Sequence, residues 1–283
     1  MSADVSYARA DHLEEALQFL WEHGHETTIV AGGTDVLIGL RAAGLRSSRL
    51  LDISRLTELK GIGVHGEGLS IGAGVTLAEI YSSEVLARYA PALQKAAFTF
   101  GSVQIRNAAT IGGNVANASP SADTVPPLLI HDARAVVATI NGERSIPVAN
   151  LFSGPYKTVL RPDEIIARFV LEPAEDIPAD FQKIARRQAH AIARISMAVM
   201  AAKDEAGGIS SLRLALGACT PWPQRVPEVE HLLLGKRPDE TLFWEAGRAL
   251  AAAMVATTGR RTSTPYKEKA VQGLLFRVLR PFI

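Results

Sequence analysis

Apolar positions recur along this chain at two spacings, and the switch between them marks its elements. Leu13, Ala16, Leu17 and Leu20 fall at i, i+3, i+4 and i+7, the stripe of an amphipathic helix. Asp11 with Glu14 predicts a capping box at its start, and Gly24 its end. Thr27-Thr28-Ile29-Val30 reads as a strand, leading through Ala31-Gly32-Gly33-Thr34-Asp35 into a short helix at Val36–Leu40. A further strand is expected at Arg49–Ile53. Ile62–Val64 and Leu69–Ala73 flank His65-Gly66-Glu67-Gly68, a hairpin signal. Thr76 with Glu79 opens a helix through Tyr81, and Pro91 opens another carrying Leu93, Ala96, Ala97 and Phe98. A helical piece at Val125–His131 starts with Pro126 and Pro127. Arg134–Ile140 and Glu143–Val148 are joined by Asn141-Gly142, which favours a type I′ turn. Glu164–Leu171 reads as a strand.

Residues 172–180, E-P-A-E-D-I-P-A-D, are acidic and proline-containing and predict a domain boundary. Beyond them strands are expected at Phe181–Arg187, Ile195–Lys203 and Ser211–Gly217, with a turn at 205–208. Ile195–Ala202 is apolar except for Ser196, far too short to cross a membrane and fit for a buried strand. Helices follow at Val226–Leu234, Asp239–Val255 and Tyr266–Leu279. The expectation is α+β: a domain over 1–175, in subdomains of about 1–55 and 56–175, then three antiparallel strands backed by helices over 176–283.

Composition narrows the function. The chain has 283 residues, 47% hydrophobic and 21% charged, an ordinary soluble composition long enough for two domains. A net charge of +1 without like-charge blocks points away from nucleic acid and anionic membranes. One cysteine, Cys219, excludes an internal disulfide and a cysteine-ligated cluster built from this chain alone. It fits a reducing cytoplasm, the expected location, and no signal peptide is visible at the N-terminus. The seven histidines form no metalloprotease-type pair. Cys219 itself reads as a small buried apolar residue.

The chemistry concentrates in Gly101–Pro127, G-S-V-Q-I-R-N-A-A-T-I-G-G-N-V-A-N-A-S-P-S-A-D-T-V-P-P. An interior segment crowded with tiny side chains leaves space for something else. Gly112 and Gly113 permit positive φ and direct backbone contact with a ligand, and successive amides there would form an anion-binding concavity. Thr110, Asn114, Asn117, Ser119 and Asp123 add polar groups without bulk. Gly32 and Gly33 make a second such turn at the start of a helix, where free amides attract phosphate. Either turn alone is most simply a tight connection after a strand. Together they suggest a pyrophosphate held from two sides, in a site that is not Rossmann-type, since no G-x-G-x-x-G follows a strand.

A-G-G-T-D at 31–35 and T-I-G-G-N-x-x-N-A-S-P-x-x-D at 110–123 resemble the FAD-binding (medium) subunits of the molybdenum hydroxylases, the family of xanthine dehydrogenase and carbon monoxide dehydrogenase. The resemblance continues in S-G-P-Y-K-T-V-L-R-P-D-E-I-I at 153–166, F-Q-K-I-A-R-R at 181–187, L-G-A-C-T-P-W-P at 216–223 and T-P-Y-K-E-K-A at 264–270. It implies a two-part FAD-binding domain of the PCMH type, like vanillyl-alcohol oxidase, followed by a carbon monoxide dehydrogenase flavoprotein-like C-terminal domain. It also implies that Ile29, Val30, Ala31, Gly32, Gly33, Thr34, Asp35 and Val36 line the adenine and pyrophosphate end of FAD. Thr110, Ile111, Gly112, Gly113 and Asn114 would line the opposite wall, and Asp123 would accept from a flavin hydroxyl or ring N–H. Phe100 and Ile166 match apolar flavin contacts, or are core residues. Lys183 matches a flavin-proximal lysine that would stabilise the anionic reduced ring, or is a solvated strand-end lysine.

In the family, a large subunit with a molybdenum cofactor oxidises the organic substrate and a small subunit carries two [2Fe-2S] clusters. The resemblance makes this chain the separate medium subunit of such a heterotrimer: an oxidoreductase component that takes electrons from the clusters and passes them from reduced flavin to an external acceptor. After Arg186-Arg187 the chain has Gln188-Ala189-His190-Ala191, without the carboxylates that help place NAD in xanthine dehydrogenases. Oxygen, a quinone, a ferredoxin or a small haem protein then stand beside NAD as acceptors. Two alternatives remain: a stand-alone flavin oxidoreductase of the same fold, such as the cell-wall enolpyruvyl reductases, and a non-catalytic nucleotide-binding subunit.

Overall fold

Alternation along the strand Ala193–Lys203 decides how the two halves of the molecule meet. In the computed structural model, which describes residues 5–42, 48–66, 68–187 and 190–282, this strand is covered on both faces. Ile195, Met197, Val199 and Ala201 point into a core made with the helices Pro227–Leu233, Glu240–Thr258 and Thr264–Leu279. Ala198 and Met200 point the other way, into a core shared with Leu93, Ala96 and Ala97 of helix Pro91–Phe98 and Leu128 and Leu129 of helix Val125–Ile130. Two-sided burial is why the run is apolar almost throughout. Each large side chain so buried contributes about 1.5–3 kcal/mol, so the halves are joined by packing as well as by covalent linkage.

The sheet around this strand runs in the order Ala179–Ala185, Ala193–Lys203, Ile209–Gly217, Gln224–Arg225, all antiparallel. It therefore has four strands where three were expected. The fourth is a two-residue piece beside Ala215 and Leu216, too short to leave a period in the sequence.

The first half holds three further sheets, the smallest a two-stranded piece of Phe152–Gly154 and Lys157–Thr158. Ser6–Arg9, Arg49–Asp52 and Thr27–Val30 lie parallel, in that order. Ile62–His65, Gly68–Gly72, Ile165–Leu171, Arg134–Thr139 and Gly142–Pro147 form an antiparallel sheet in that order. Its central strand carries a β-bulge, since Ile166 pairs with Val137 and Arg168 with Val136. The extra residue, Ala167, shifts the alternation. Ile165 and Ala167 consequently join the core of the small parallel unit with Leu17, Leu20 and Leu51, whereas Ile166, Phe169 and Leu171 join the larger core. The bulge lets one strand serve two cores, with the junction between them at Ile165 and Ile166.

Most of the expected elements stand within two or three residues of the periodicity that predicted them. The first helix differs at its start. It begins at Leu13 with His12 as N-cap, and Glu15 rather than Glu14 reaches back, to the amides of Asp11 (2.9 Å) and His12 (3.4 Å). The amide of Leu13 is meanwhile taken by Glu58 of a distant segment, at 3.0 Å. Strand Ser6–Arg9 and helices Glu84–Tyr89, Val103–Ala108 and Ile111–Ala116 had no sequence counterpart. Residues 1–4 of the N-terminal reading and Glu67 of the expected hairpin turn lie outside the described residues. Among the described residues no helix is long and apolar enough to cross a membrane.

Cys219 is buried, as its surroundings suggested, and burial pushes its thiol up to about 11. Only the thiolate reacts, so alkylation by iodoacetamide at pH 8 should run roughly 100-fold slower in the native protein than in urea. Equal rates in the two states would contradict this burial.

Candidate functional site

The two glycine stretches meet backbone to backbone. A Cβ built on Gly32 would stand 1.8 Å from the carbonyl oxygen of Ala108, so no other residue fits there without parting the loops. Gly33 has φ +68°, the left-handed region, and turns the chain into helix Val36–Arg41. Gly112 presses on the strand end at Ala73, whose Cβ and carbonyl oxygen would each lie 2.7 Å from an added Cβ. A Cβ on Gly113 would meet Thr110 Oγ1 alone, at 3.0 Å, a tight contact that the hydroxyl would have to relieve.

Between these stretches lies a cavity of about 600 Å³, within the range of small-molecule sites. Ile29, Ala31, Gly32, Gly33, Thr34, Asp35 and Val36 line one side. Thr110, Gly112, Gly113 and Asn114 line another, and Phe100 and Ile166 add apolar wall. Sequence reasoning did not single out Ser54, Lys60, Thr76, Asn107 or Glu164, which also line it. Ser54, Lys60 and Glu164 come from loops, Thr76 from a helix N-cap and Asn107 from helix Val103–Ala108, and it is tertiary packing that brings them to the cavity.

The two turns differ in what they offer. Thr110 caps helix Ile111–Ala116, and its hydroxyl accepts from the amide of Gly113 at 3.0 Å. The amide of Ile111 goes to Val75 O (3.0 Å), that of Gly112 to Ala73 O (2.8 Å) and that of Asn114 to Thr110 O (2.9 Å). Every donor of the first turn is used, and neither glycine has positive φ. The expected anion-binding concavity at Gly112–Gly113 is thus corrected to a capped helix start that forms a smooth wall. At the other turn, the amides of Gly33, Thr34 and Asp35 have no acceptor among the described residues. Burial raises the Asp35 carboxyl above its ordinary pKa. Burial also opposes the Glu164 carboxylate, but Arg144, at 2.6 and 2.9 Å, and the Arg161 amide outweigh it and hold its pKa low.

Four residues expected at the ligand are not on the cavity wall: Val30, Ile111, Asp123 and Lys183. Ile111 is fully buried in the main core. Lys183 donates to Asp123 Oδ2 at 2.6 Å, and the two side chains are 8% and 6% exposed. This ion pair ties strand Ala179–Ala185 to the segment that follows the second glycine stretch. Burial drives the Asp123 pKa up, with Lys183 opposing, and Asp123 Oδ1 has no partner. His190 has φ +51°, and its carbonyl accepts from Arg187; Gln188 and Ala189 lie outside the described residues.

Residues 3–173 match the FAD binding domain in molybdopterin dehydrogenase, and residues 180–282 match the CO dehydrogenase flavoprotein C-terminal domain. The chain belongs to this family. It is 37% identical over 229 residues to the xanthine dehydrogenase FAD-binding subunit of Escherichia coli O157:H7, covering 80% of this chain and 78% of that one. It is 30% identical to the nicotinate dehydrogenase FAD-subunit of Eubacterium barkeri, over 96% and 93% of the two chains. Its fold matches the carbon monoxide dehydrogenase from Hydrogenophaga pseudoflava that lacks the Mo-pyranopterin moiety of the molybdenum cofactor. There the TM-score is 0.91 at 26% identity, over 98% of this chain and 96% of that chain. This chain is accordingly an FAD-binding oxidoreductase subunit of the molybdenum hydroxylase family, with the two-part fold and flavoprotein C-terminal domain that the resemblance implied.

Lys183→Met should cost about 3–5 kcal/mol at pH 7.5 by stranding the buried Asp123 carboxylate. Without the ammonium, burial alone sets the Asp123 pKa, which stays above its unfolded value. The folded variant then binds the proton more tightly than the unfolded chain, so its stability falls as pH rises through that pKa and recovers below it. Urea unfolding at pH 5.5 and 7.5 should show a smaller deficit against wild type at the lower pH. A deficit independent of pH would argue against a stranded carboxylate.

Proposed function

We propose that the cavity between the two glycine stretches holds FAD, and that the chain is the electron-exit subunit of a three-subunit enzyme. The observation that carries the first part is the free amide row at Gly33–Asp35 on the cavity wall. Such donors suit a pyrophosphate, whose acceptor oxygens need N–H partners without bulk. Gly113 and Asn114 complete the opposite wall, and Phe100 and Ile166 give apolar surface for a flat ring. FAD, when bound, supplies the redox chemistry: it accepts electrons singly and releases them to a further acceptor. The residues of this chain bind it, orient it and keep water from its buried side. Asp123 and Lys183 hold the C-terminal sheet against the first domain, and Asp123 Oδ1, which Lys183 leaves unpartnered, is the acceptor that the carboxylate would offer a cofactor donor.

Electrons would arrive from [2Fe-2S] clusters on a small subunit, after oxidation of an organic substrate at the molybdenum cofactor of a large subunit. The relatives' names as FAD subunits and medium chains support this assignment. The run Gln188-Ala189-His190-Ala191 lacks the carboxylates that would single out NAD, so oxygen, a quinone, a ferredoxin or a small haem protein stand beside it as acceptor. Division into domains of 1–175 and 176–283 agrees with the spans of the two family matches, and a first domain in parts of about 1–55 and 56–175 agrees with its separate parallel and antiparallel sheets. A single cysteine suits a cytoplasmic location.

Gly113→Ala tests the wall. The new methyl meets no atom nearer than Thr110 Oγ1 at 3.0 Å, and alanine favours a helix over glycine by about 1 kcal/mol. The capping hydroxyl must give by a few tenths of an ångström, which offsets the helix gain, so stability should change by less than about 1 kcal/mol, while affinity for FAD, followed by quenching of flavin fluorescence, should fall at least tenfold. Unchanged affinity would remove this wall from the site. The complex purified with its co-purifying subunits should show flavin bands over iron–sulfur absorbance. Flavin bands from a lone chain would favour the stand-alone oxidoreductase.

A further inference from the structure

Behind the cavity wall, Thr124 Oγ1 lies 2.7 Å from Asn114 Oδ1. Thr124 is fully buried, whereas Asn114 lines the cavity. Among the described residues this is the one hydrogen bond of the Thr124 hydroxyl, and the one made by the Asn114 side chain. That count fixes its direction. If the hydroxyl accepted from the amide nitrogen, its own proton would be buried without an acceptor, which costs more than an ordinary hydrogen bond gains. The arrangement with nothing stranded has Thr124 donating to Oδ1. The Asn114 amide is then held with its oxygen turned away from the cavity. Its nitrogen is not among the buried side-chain atoms left without a partner. The two N–H donors are thus the group available to a ligand.

We infer that Thr124 is a positioning residue for the cofactor: its hydroxyl locks Asn114 as a hydrogen-bond donor to an acceptor atom of FAD. The inference rests on the assignment of the cavity to FAD. It adds a selectivity that cavity shape does not supply, because an amide free to flip would present an acceptor as readily as a donor. Thr124 also adjoins Asp123, whose other contact is Lys183 of the C-terminal sheet. Docking of that sheet and orientation of the wall donor are therefore set by neighbouring residues of one segment.

The test uses the full chain stripped of flavin and titrated with FAD, with thermal melts as a check on folding. Thr124→Val keeps the shape and removes the donor, and should weaken FAD binding about tenfold, the loss of one oriented hydrogen bond. Thr124→Ser should bind within about threefold of wild type, as expected if the hydroxyl and not the packing matters. Asn114→Asp still accepts from Thr124 but offers the cavity an acceptor, and should lose at least as much as Thr124→Val. In an Asn114→Ala background, Thr124→Val should add less than about a twofold further loss, because the two act through one contact. Wild-type affinity in Thr124→Val, or an undiminished effect of it without Asn114, overturns the inference. Should Thr124→Val fail to fold, Asn114→Asp decides: FAD binding like wild type overturns the donor assignment. If the wild-type chain itself binds no FAD, the cavity assignment falls and this inference with it; normal wild-type binding with indifferent variants overturns this inference alone.

Discussion

The carbonyl oxygen of Ala108 occupies the volume that a side chain at position 32 would need. Everything at the cavity depends on that contact. It brings a turn of the small parallel unit against the end of helix Val103–Ala108 at backbone distance, and the space left beside it is the cavity. Gly112 does the same on the far side, where it lets the capped helix sit against Ala73 at the end of a sheet strand. Two backbones pressed together in this way leave little freedom, and a wall fixed by main-chain packing loses little entropy when a ligand binds. The site is thus preorganised chiefly by the absence of side chains at two points.

A second constraint sits one layer back. The C-terminal sheet has no free face: its helices cover one side and the first domain covers the other. The Asp123–Lys183 pair lies in this buried seam, with both groups withdrawn from solvent. Burying a charge pair is seldom favourable over an apolar pair of the same shape. Its value here is in register, since a slip of the strand Ala179–Ala185 by one residue would turn Lys183 into the opposite core and leave Asp123 unpaired. The same segment supplies Thr124 to Asn114, so the seam and the cavity wall are set together.

Much of this was legible in the sequence because it is local. Period and capping located the strand at Thr27–Val30, the helix opened by Thr76 and Glu79, and the hairpin at Asn141-Gly142, whose signals all lie within a few residues. The glycine stretches were legible as places where space is left. What each glycine does was not. Gly112 and Gly113 read as a turn with free amides, but Ala73, some forty residues earlier, takes the amide of Gly112, and the Thr110 hydroxyl takes that of Gly113. Strand Ser6–Arg9 was missed because its pairing with Arg49–Asp52 comes from the sheet and not from an apolar period of its own. Lys183 was placed by a motif beside the flavin, and in the structure its ammonium is committed to Asp123. The Thr124–Asn114 bond left no period at all, only a hydroxyl residue ten positions after an amide in a segment already full of both.

The division of labour follows from what the wall contains. The cavity is lined by backbone amides, small hydroxyl and amide side chains and aliphatic surface; among its described lining residues there is no histidine and no cysteine. Glu164 is neutralised by two arginines, and Asp35 is made a weaker acid by burial. Such a wall is poor at moving protons or attacking a substrate, and good at holding a large polar molecule in one orientation without reacting with it. That is the requirement of a subunit whose chemistry is carried by its cofactor. What such a wall demands is geometry, so a residue that fixes a donor in place, as Thr124 is inferred to do for Asn114, counts as much as one that touches the ligand.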